Sequence, residues 1–257
     1  LTEAGVNVIT GKKVKKIAGR DGKVKGVELD DGYQIDADLV ISAIGFEPNT
    51  TLAQETGLEL DEIGAIRIDN YLRTSKKDIY AVGDCSGTHG FITGRTDNIM
   101  LASTATAKAR VLGYNLFNIK LLRNFYGTLS VFSTEINNKA FASAGAIEQT
   151  AKEADVSFIT GKFKTMDRHP GTIEDSTEME VKLIVSPGNG EIIGGELFGG
   201  KSVGEMVNVI ALAIQKAVTV YELVSFQIGT HPLLTSAPTK YQLIKAAEDA
   251  ISKIETE

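Results

Sequence analysis

An apolar run that stops on Gly-Asp constrains this chain more than any other feature. Ile79-Tyr80-Ala81-Val82 reads as a buried strand, and Gly83-Asp84 ends it. The glycine permits close backbone approach, and the aspartate sets a carboxylate at the carboxyl end of a strand. Ligands of open α/β sheets collect at that end, where an acid accepts hydrogen bonds from sugar or polyol hydroxyls. Gly-Asp is also ordinary turn chemistry, so the pair gains meaning only from what surrounds it.

Upstream, residues 6–9, 13–17, 24–29 and 39–44 carry β-branched or alternating apolar patterns. Asp21-Gly22 and Asp31-Gly32 punctuate them, a strong hairpin signal between strand patterns. The run 39–45 is almost wholly apolar, as expected for a strand covered on both faces. Two further strand patterns occupy 65–69 and 79–82. An Ala-rich helical pattern then runs from about Asp97, a candidate N-cap, to Phe117. Residues 118–126 lack a pattern and read as a linker.

The second half changes character. Strand patterns at 131–133, 140–144, 156–163, 179–185 and 192–197 are separated by turns or short helices, the clearest turn being 186–190. Val203, Met206, Val207, Ile210 and Ile214 form a 3.6-residue stripe, and Ile244, Ala247, Ile251 and Ile254 another near the end. Between them lies His231-Pro232, in a segment too rich in proline for a helix. This order predicts an α+β region with helices against an antiparallel sheet.

The length of 257 residues suffices for one large domain or two modest ones. A net charge of -6 argues against a general nucleic-acid binder, which needs a basic face. No apolar run is long enough to span a bilayer, and no signal peptide opens the chain. The single cysteine, Cys85, rules out an internal disulfide framework or redox dithiol and fits a reducing cytoplasm. A small packed residue is the simpler role for it. Neither His89 nor His169 has partners at zinc spacing, so no metal site is expected. The chain opens on Leu1 within a helical-looking phrase, which predicts either a processed start or an upstream region.

Thr74 through Asp84, ending Ala-Val-Gly-Asp, resembles the second flavin-binding motif of the pyridine nucleotide-disulfide oxidoreductase superfamily, to which glutathione reductase, NADH oxidase and coenzyme A-disulfide reductase belong. Ile44-Gly45-Phe46-Glu47-Pro48-Asn49-Thr50 resembles the family's junction from the NAD domain back to the FAD domain, and Gly64-Ala65-Ile66-Arg67-Ile68-Asp69 has its place between them. The resemblance implies FAD and NAD(P)H as cofactors, with Gly83 and Asp84 at the ribityl chain. It also implies that a helix start near Asp97, Asn98 and Ile99 faces the flavin, which suits the partial positive charge of a helix N-terminus. The loop 87–95 reads equally as part of that site or as surface.

From about residue 125 the chain resembles the family's dimerisation domain, which implies a homodimer. His231-Pro232 stands where disulfide reductases carry a histidine acting as acid/base in trans. Their supporting glutamate falls five residues later, where this chain has Ser236. That departure leaves His231 open between a catalytic and a structural role. The resemblance implies three parts: 1–45, the end of an NAD(P)-binding domain; 46–120, the second segment of an FAD-binding domain; and 121–257, the dimerisation domain. The fold class is then a partial Rossmann-like α/β region followed by an α+β domain like that of glutathione reductase.

No Gly-x-Gly-x-x-Gly follows a strand, and Gly194-Gly195 through Gly200 has the wrong spacing; the family has a small-residue turn there. Both dinucleotide fingerprints are therefore expected upstream of Leu1, and residues 1–257 alone should be inactive and bind FAD poorly. The expected activity of the parent protein is hydride transfer from NAD(P)H through flavin to oxygen, a disulfide or an electron carrier. The alternatives are a non-catalytic dimerisation or scaffold module and an unrelated binding protein for a polyol-bearing ligand.

Overall fold

Two antiparallel sheets supply most of the regular structure, and they lie in two units, residues 1–47 and 48–257. A computed structural model describes residues 1–96, 99–121 and 126–254.

In the first unit β1 (Val14–Arg20), β2 (Lys23–Leu29) and β3 (Gln34–Asp36) form a three-stranded antiparallel sheet. Arg20 pairs with Lys23 across Asp21-Gly22, and both turn residues have positive φ, 53° and 73°. That is the primed turn whose twist matches a hairpin. The three-residue turn 30–32 joins β2 to β3, with Gly32 alone at positive φ, 85°, and the Leu29 amide donating to the Tyr33 carbonyl at 2.8 Å. Two expectations fail here. Residues 6–9 form no strand, and 39–44 form none either, with Ile41 81% and Ile44 95% exposed. Among the described residues no strand lies beside 39–44, so its backbone has no ladder to join.

In the second unit α1 (Thr51–Glu55) and α2 (Ala102–Asn115) flank a region of loops and isolated bridges. Its small core gathers Ala53, Ile66 and Ala81, with Leu58, Leu60, Ile68 and Cys85 packed against them. The expected strand 79–82 is reduced to the Arg73–Tyr80 bridge, made by the Ala81 amide on the Leu72 carbonyl and the Thr74 amide on the Ile79 carbonyl, and 65–69 to bridges at Ile66. Ile79 and Tyr80 stay exposed. The helix begins at Ala102, with Leu101 rather than Asp97 as N-cap; Asp97 lies outside the described residues.

The terminal half follows its sequence pattern closely. β4 (Phe132–Ile136), β5 (Lys139–Gly145), β6 (Ile159–Met166), β7 (Glu178–Val185) and β8 (Ile192–Gly199) form an antiparallel sheet in the order β4-β5-β8-β7-β6, with α3 (Glu148–Glu153) between β5 and β6. Alternation decides the faces. Met179, Val181, Leu183 and Val185 join Ala140, Ala142, Ala144 and Leu197 in one core with α4 (Val203–Gln215), α5 (Val220–Leu223) and α6 (Gln242–Ile254). The opposite face carries Glu180, Lys182 and Glu196, with Lys182 Nζ 2.7 Å from Glu196.

Two details depart from expectation. The buried line of α6 is Leu243, Ala246, Ala247 and Ala250; of the predicted stripe it contains Ala247, while Ile251 and Ile254 pack half-buried against the core at its edge. Gly161 of β6 is the reason: a Cβ there would sit 2.0 Å from the Ala246 carbonyl oxygen, so helix and strand meet backbone to backbone. Small side chains then fill the contact and isoleucines flank it. Gly194 and Gly195 lie inside β8 rather than in a turn, because a Cβ at Gly194 would sit 1.8 Å from the Ala146 carbonyl oxygen.

Candidate functional site

Segments far apart in sequence are tied into one cleft by a chain of hydrogen bonds. The Thr50 hydroxyl, buried at the start of α1, donates to the Gly64 carbonyl at 2.9 Å. Asp61 Oδ1 accepts the amides of Ile63 and Ala65, at 3.1 and 2.9 Å, which shapes the turn before Ile66. Ile66 then bridges to the Asp84 loop: its amide donates to the Cys85 carbonyl and its carbonyl accepts the Gly87 amide, both at 2.8 Å.

The loop itself is a turn rather than the tip of a long strand. The Ser86 amide donates back to the Gly83 carbonyl at 3.2 Å, and Gly83 has φ 88°, a left-handed conformation that favours glycine. Asp84 follows, exposed, and Cys85 is half-buried with its thiol 3.5 Å from the Val82 carbonyl. Gly83, Asp84, Ser86 and Thr88 line one side of the cleft. Pro48, Ile63, Ala65, Ile99 and Met100 contribute apolar walls, and Thr104, Ala105 and Lys108 of α2 close it. The cleft opens to solvent, and the volume between its walls is only about 10 Å³, roughly that of one water. That is far below the size that surrounds a drug-sized ligand, so it suits only a small part of a larger one.

One residue of the cleft, Lys108, escaped the sequence reading, and another, Thr88, entered it only within the loop 87–95. Thr88 is only 7% exposed, and its hydroxyl oxygen has no hydrogen-bond partner among the described residues. A buried hydroxyl without a partner is costly and points to a missing ligand group or water. Lys108 is 2% exposed, and its ammonium donates to the carbonyls of Ser86 and Gly87 and to the Ser86 hydroxyl, each at 3.0 Å. Burial lowers the Lys108 pKa to about 8, against the pull of the nearby Asp84, Cys85 and Asp61 charges. The available signal was a lone lysine in Ala105-Thr106-Ala107-Lys108-Ala109: residues 104 and 108, four apart, share a helix face.

Of the residues singled out from the sequence, Gly83, Asp84 and Ile99 meet in this cleft. Asp97 and Asn98 lie outside the described residues. In the loop 87–95, Thr88 faces the cleft while Phe91 and Ile92 pack on the large terminal core. His231 does not line the cleft. It is exposed on a loop closed by its own bonds: its amide donates to Thr235 Oγ1 at 3.1 Å, and its Nδ1 accepts the Leu233 amide at 3.3 Å. Ser236 does not orient it. That side chain is buried and donates to Gln242 Oε1 at 2.9 Å, while Gln242 Nε2 donates to the Met166 carbonyl at 3.3 Å.

Among the described residues, no cluster of three or more His, Cys, Asp or Glu could hold a metal ion, and no helix is long and apolar enough to cross a membrane.

Residues 1–109 match the family model for pyridine nucleotide-disulphide oxidoreductase, and residues 132–241 match the dimerisation domain of the same family. A curated NADH oxidase of Methanocaldococcus jannaschii is 30% identical over 99% of this chain and 55% of its own length. Among solved structures, a NAD-dependent persulfide reductase from A. fulgidus superimposes with a TM-score of 0.89 at 32% identity, covering 99% of this chain and 46% of that one. A water-forming NADH oxidase from Lactobacillus brevis, bound to NADH, gives 0.84 at 25% identity, covering 96% and 53%. The chain thus spans about half the length of the relatives it matches. With an FAD/NAD-binding type of fold ahead of a matched dimerisation domain, the chain belongs to the pyridine nucleotide-disulphide oxidoreductase family.

Proposed function

We propose that the intact polypeptide carrying this chain is an FAD- and NAD(P)H-dependent oxidoreductase, and that the Asp84 cleft receives the ribityl part of FAD. One observation carries the reading: an exposed carboxylate and an unpartnered buried hydroxyl share a small, partly apolar cleft. That donor set fits a polyol with an apolar ring beside it. When bound, FAD supplies the redox chemistry, taking hydride from the nicotinamide and passing electrons to oxygen, a disulfide or a small carrier.

The residues of this chain bind and orient. Asp84 accepts hydrogen bonds from polyol hydroxyls, and Gly83 allows the backbone to come close. Thr88 completes its hydrogen bonding on the ligand. The first turn of α2 brings Thr104 and Ala105 to the cleft wall, so the partly positive end of the helix lies beside it. Ile99 and Met100 keep water from the apolar side. The three-part division at residues 45 and 120 belongs to the same reading, and the 257 residues alone are expected to hold FAD weakly and to be inactive.

The terminal domain pairs two copies in this reading, which presents His231 to the other subunit's site. With Nδ1 accepting from the Leu233 amide, the neutral imidazole carries its proton on Nε2, the outward nitrogen that can exchange it with an acceptor. The commitment of Ser236 to Gln242 leaves no carboxylate at that position to stabilise the imidazolium, which weighs against the disulfide branch.

The test is anaerobic titration of the intact polypeptide with NADH and NADPH. A flavin band that bleaches with one of them supports the reading. A protein that takes up no FAD, or whose flavin neither nucleotide reduces, overturns it.

A further inference from the structure

Lys108 is the single buried residue of α2, a helix otherwise exposed or half-buried. Burying an ammonium is costly, and its position is retained only where oxygens replace its water. Here three acceptors come from the loop after Asp84: the Ser86 carbonyl, the Ser86 hydroxyl and the Gly87 carbonyl. The same Ser86 hydroxyl donates to the Gly83 carbonyl at 2.8 Å, so the lysine acts on both ends of the turn that presents Asp84. Thr88, with its unpartnered hydroxyl, follows Gly87 directly.

We propose that Lys108 is the positioning residue of the cofactor cleft, its ammonium clamping the 83–88 loop so that the Asp84 carboxylate and Thr88 hydroxyl meet the ligand. The inference rests on the reading of this cleft as the ribityl site. The ammonium donates to all three of these oxygens. A neutral amine keeps only two N–H bonds and must release one of the three, so the clamp loosens when Lys108 loses its proton. Asp84 and Cys85 of the loop and Asp61 of the facing turn are the charged or titratable groups that bear on it, and burial places its titration at about 8.

The experiment measures FAD binding by the intact polypeptide, stripped of flavin, from pH 6.5 to 9.5, for wild type, Lys108→Met and Ser86→Ala. For wild type the affinity falls as pH rises through about 8. Lys108→Met binds roughly tenfold more weakly at neutral pH, and its affinity no longer changes through that range. Ser86→Ala, which removes one acceptor and keeps the lysine, weakens binding about threefold and shifts the midpoint. If Lys108→Met does not fold, Ser86→Ala decides.

Cys85 is present in all three proteins, so a midpoint that survives in Lys108→Met belongs to the thiol and overturns the proposal. So does unchanged affinity in a folded Lys108→Met, or unchanged affinity and midpoint in Ser86→Ala. A wild type that binds no FAD removes the ribityl reading itself, whereas normal wild-type binding with indifferent variants removes only the role of Lys108.

Discussion

In the terminal sheet, β7 buries Met179, Val181 and Leu183 beneath α4 and α6; beside the Asp84 loop, the residue that α2 buries is a lysine. The first region is held by apolar area that its own elements supply and cover. The second is held by single polar contacts, Thr50 to Gly64, Ile66 to Cys85 and Gly87, and Lys108 to Ser86 and Gly87, around a cluster of three buried apolar residues. Stability and ligand recognition are therefore separable: substitutions in the sheet should lower the melting temperature and leave a bound cofactor's spectrum alone, while those in the cleft should do the reverse.

The largest effect is expected from Leu183→Ala. The side chain is fully buried in the sheet core, so its loss should cost about 2–5 kcal/mol in denaturant unfolding, with FAD affinity per folded molecule unchanged. A Leu183→Ala protein that keeps its stability but loses flavin would break the separation. Thr88→Val works from the other side. Because the hydroxyl has no protein partner, the apo protein should be as stable or gain up to about 1 kcal/mol, while FAD binds about threefold to tenfold more weakly. A loss of stability with unchanged affinity would assign Thr88 to the fold.

The smallest effect belongs to the sheet's polar face. Hydrogen bonding from Lys182, then the charges of Lys182, Lys162 and Lys152, hold Glu148 below its ordinary value of 4.5. A lowered carboxyl stabilises the fold above pH 4.5, and the contribution fades as pH falls through the folded-state value. Glu148→Gln should accordingly cost under about 1 kcal/mol at pH 7 and less as the pH falls below 4.5. A larger loss, seen by thermal melts on both sides of that pH, would show that this face carries more of the fold than its exposure implies.

The same contrast explains what the sequence revealed. All five terminal strands and both long helices were legible because alternation and 3.6-residue stripes record burial within the chain itself. The phase of α6 was not, since it depends on Gly161 opposite and not on α6's own residues. Around the cleft the signals were chemical: Gly83-Asp84, Gly64 through Asp69, and Pro48 through Thr50 marked segments that hydrogen bonds do bring together. Strand periodicity misled at 39–44 and 79–82, where the described residues supply little ladder for apolar runs to enter. Lys108 was hidden because a lysine on an Ala-rich helix reads as solvated until the carbonyls around it are located. Thr88 was marked only as a member of the loop 87–95, with nothing in the pattern to single it out.

The most direct measurement compares FAD dissociation constants of the intact polypeptide with aspartate or alanine at position 84, alongside the melting temperature of each apo protein. Loss of a charge-assisted contact predicts that Asp84→Ala weakens FAD by about tenfold to a hundredfold, with the apo melting temperature unmoved. Equal affinities in the two proteins, or a melting temperature that falls in step with the affinity, would contradict the assignment of Asp84 to the cofactor.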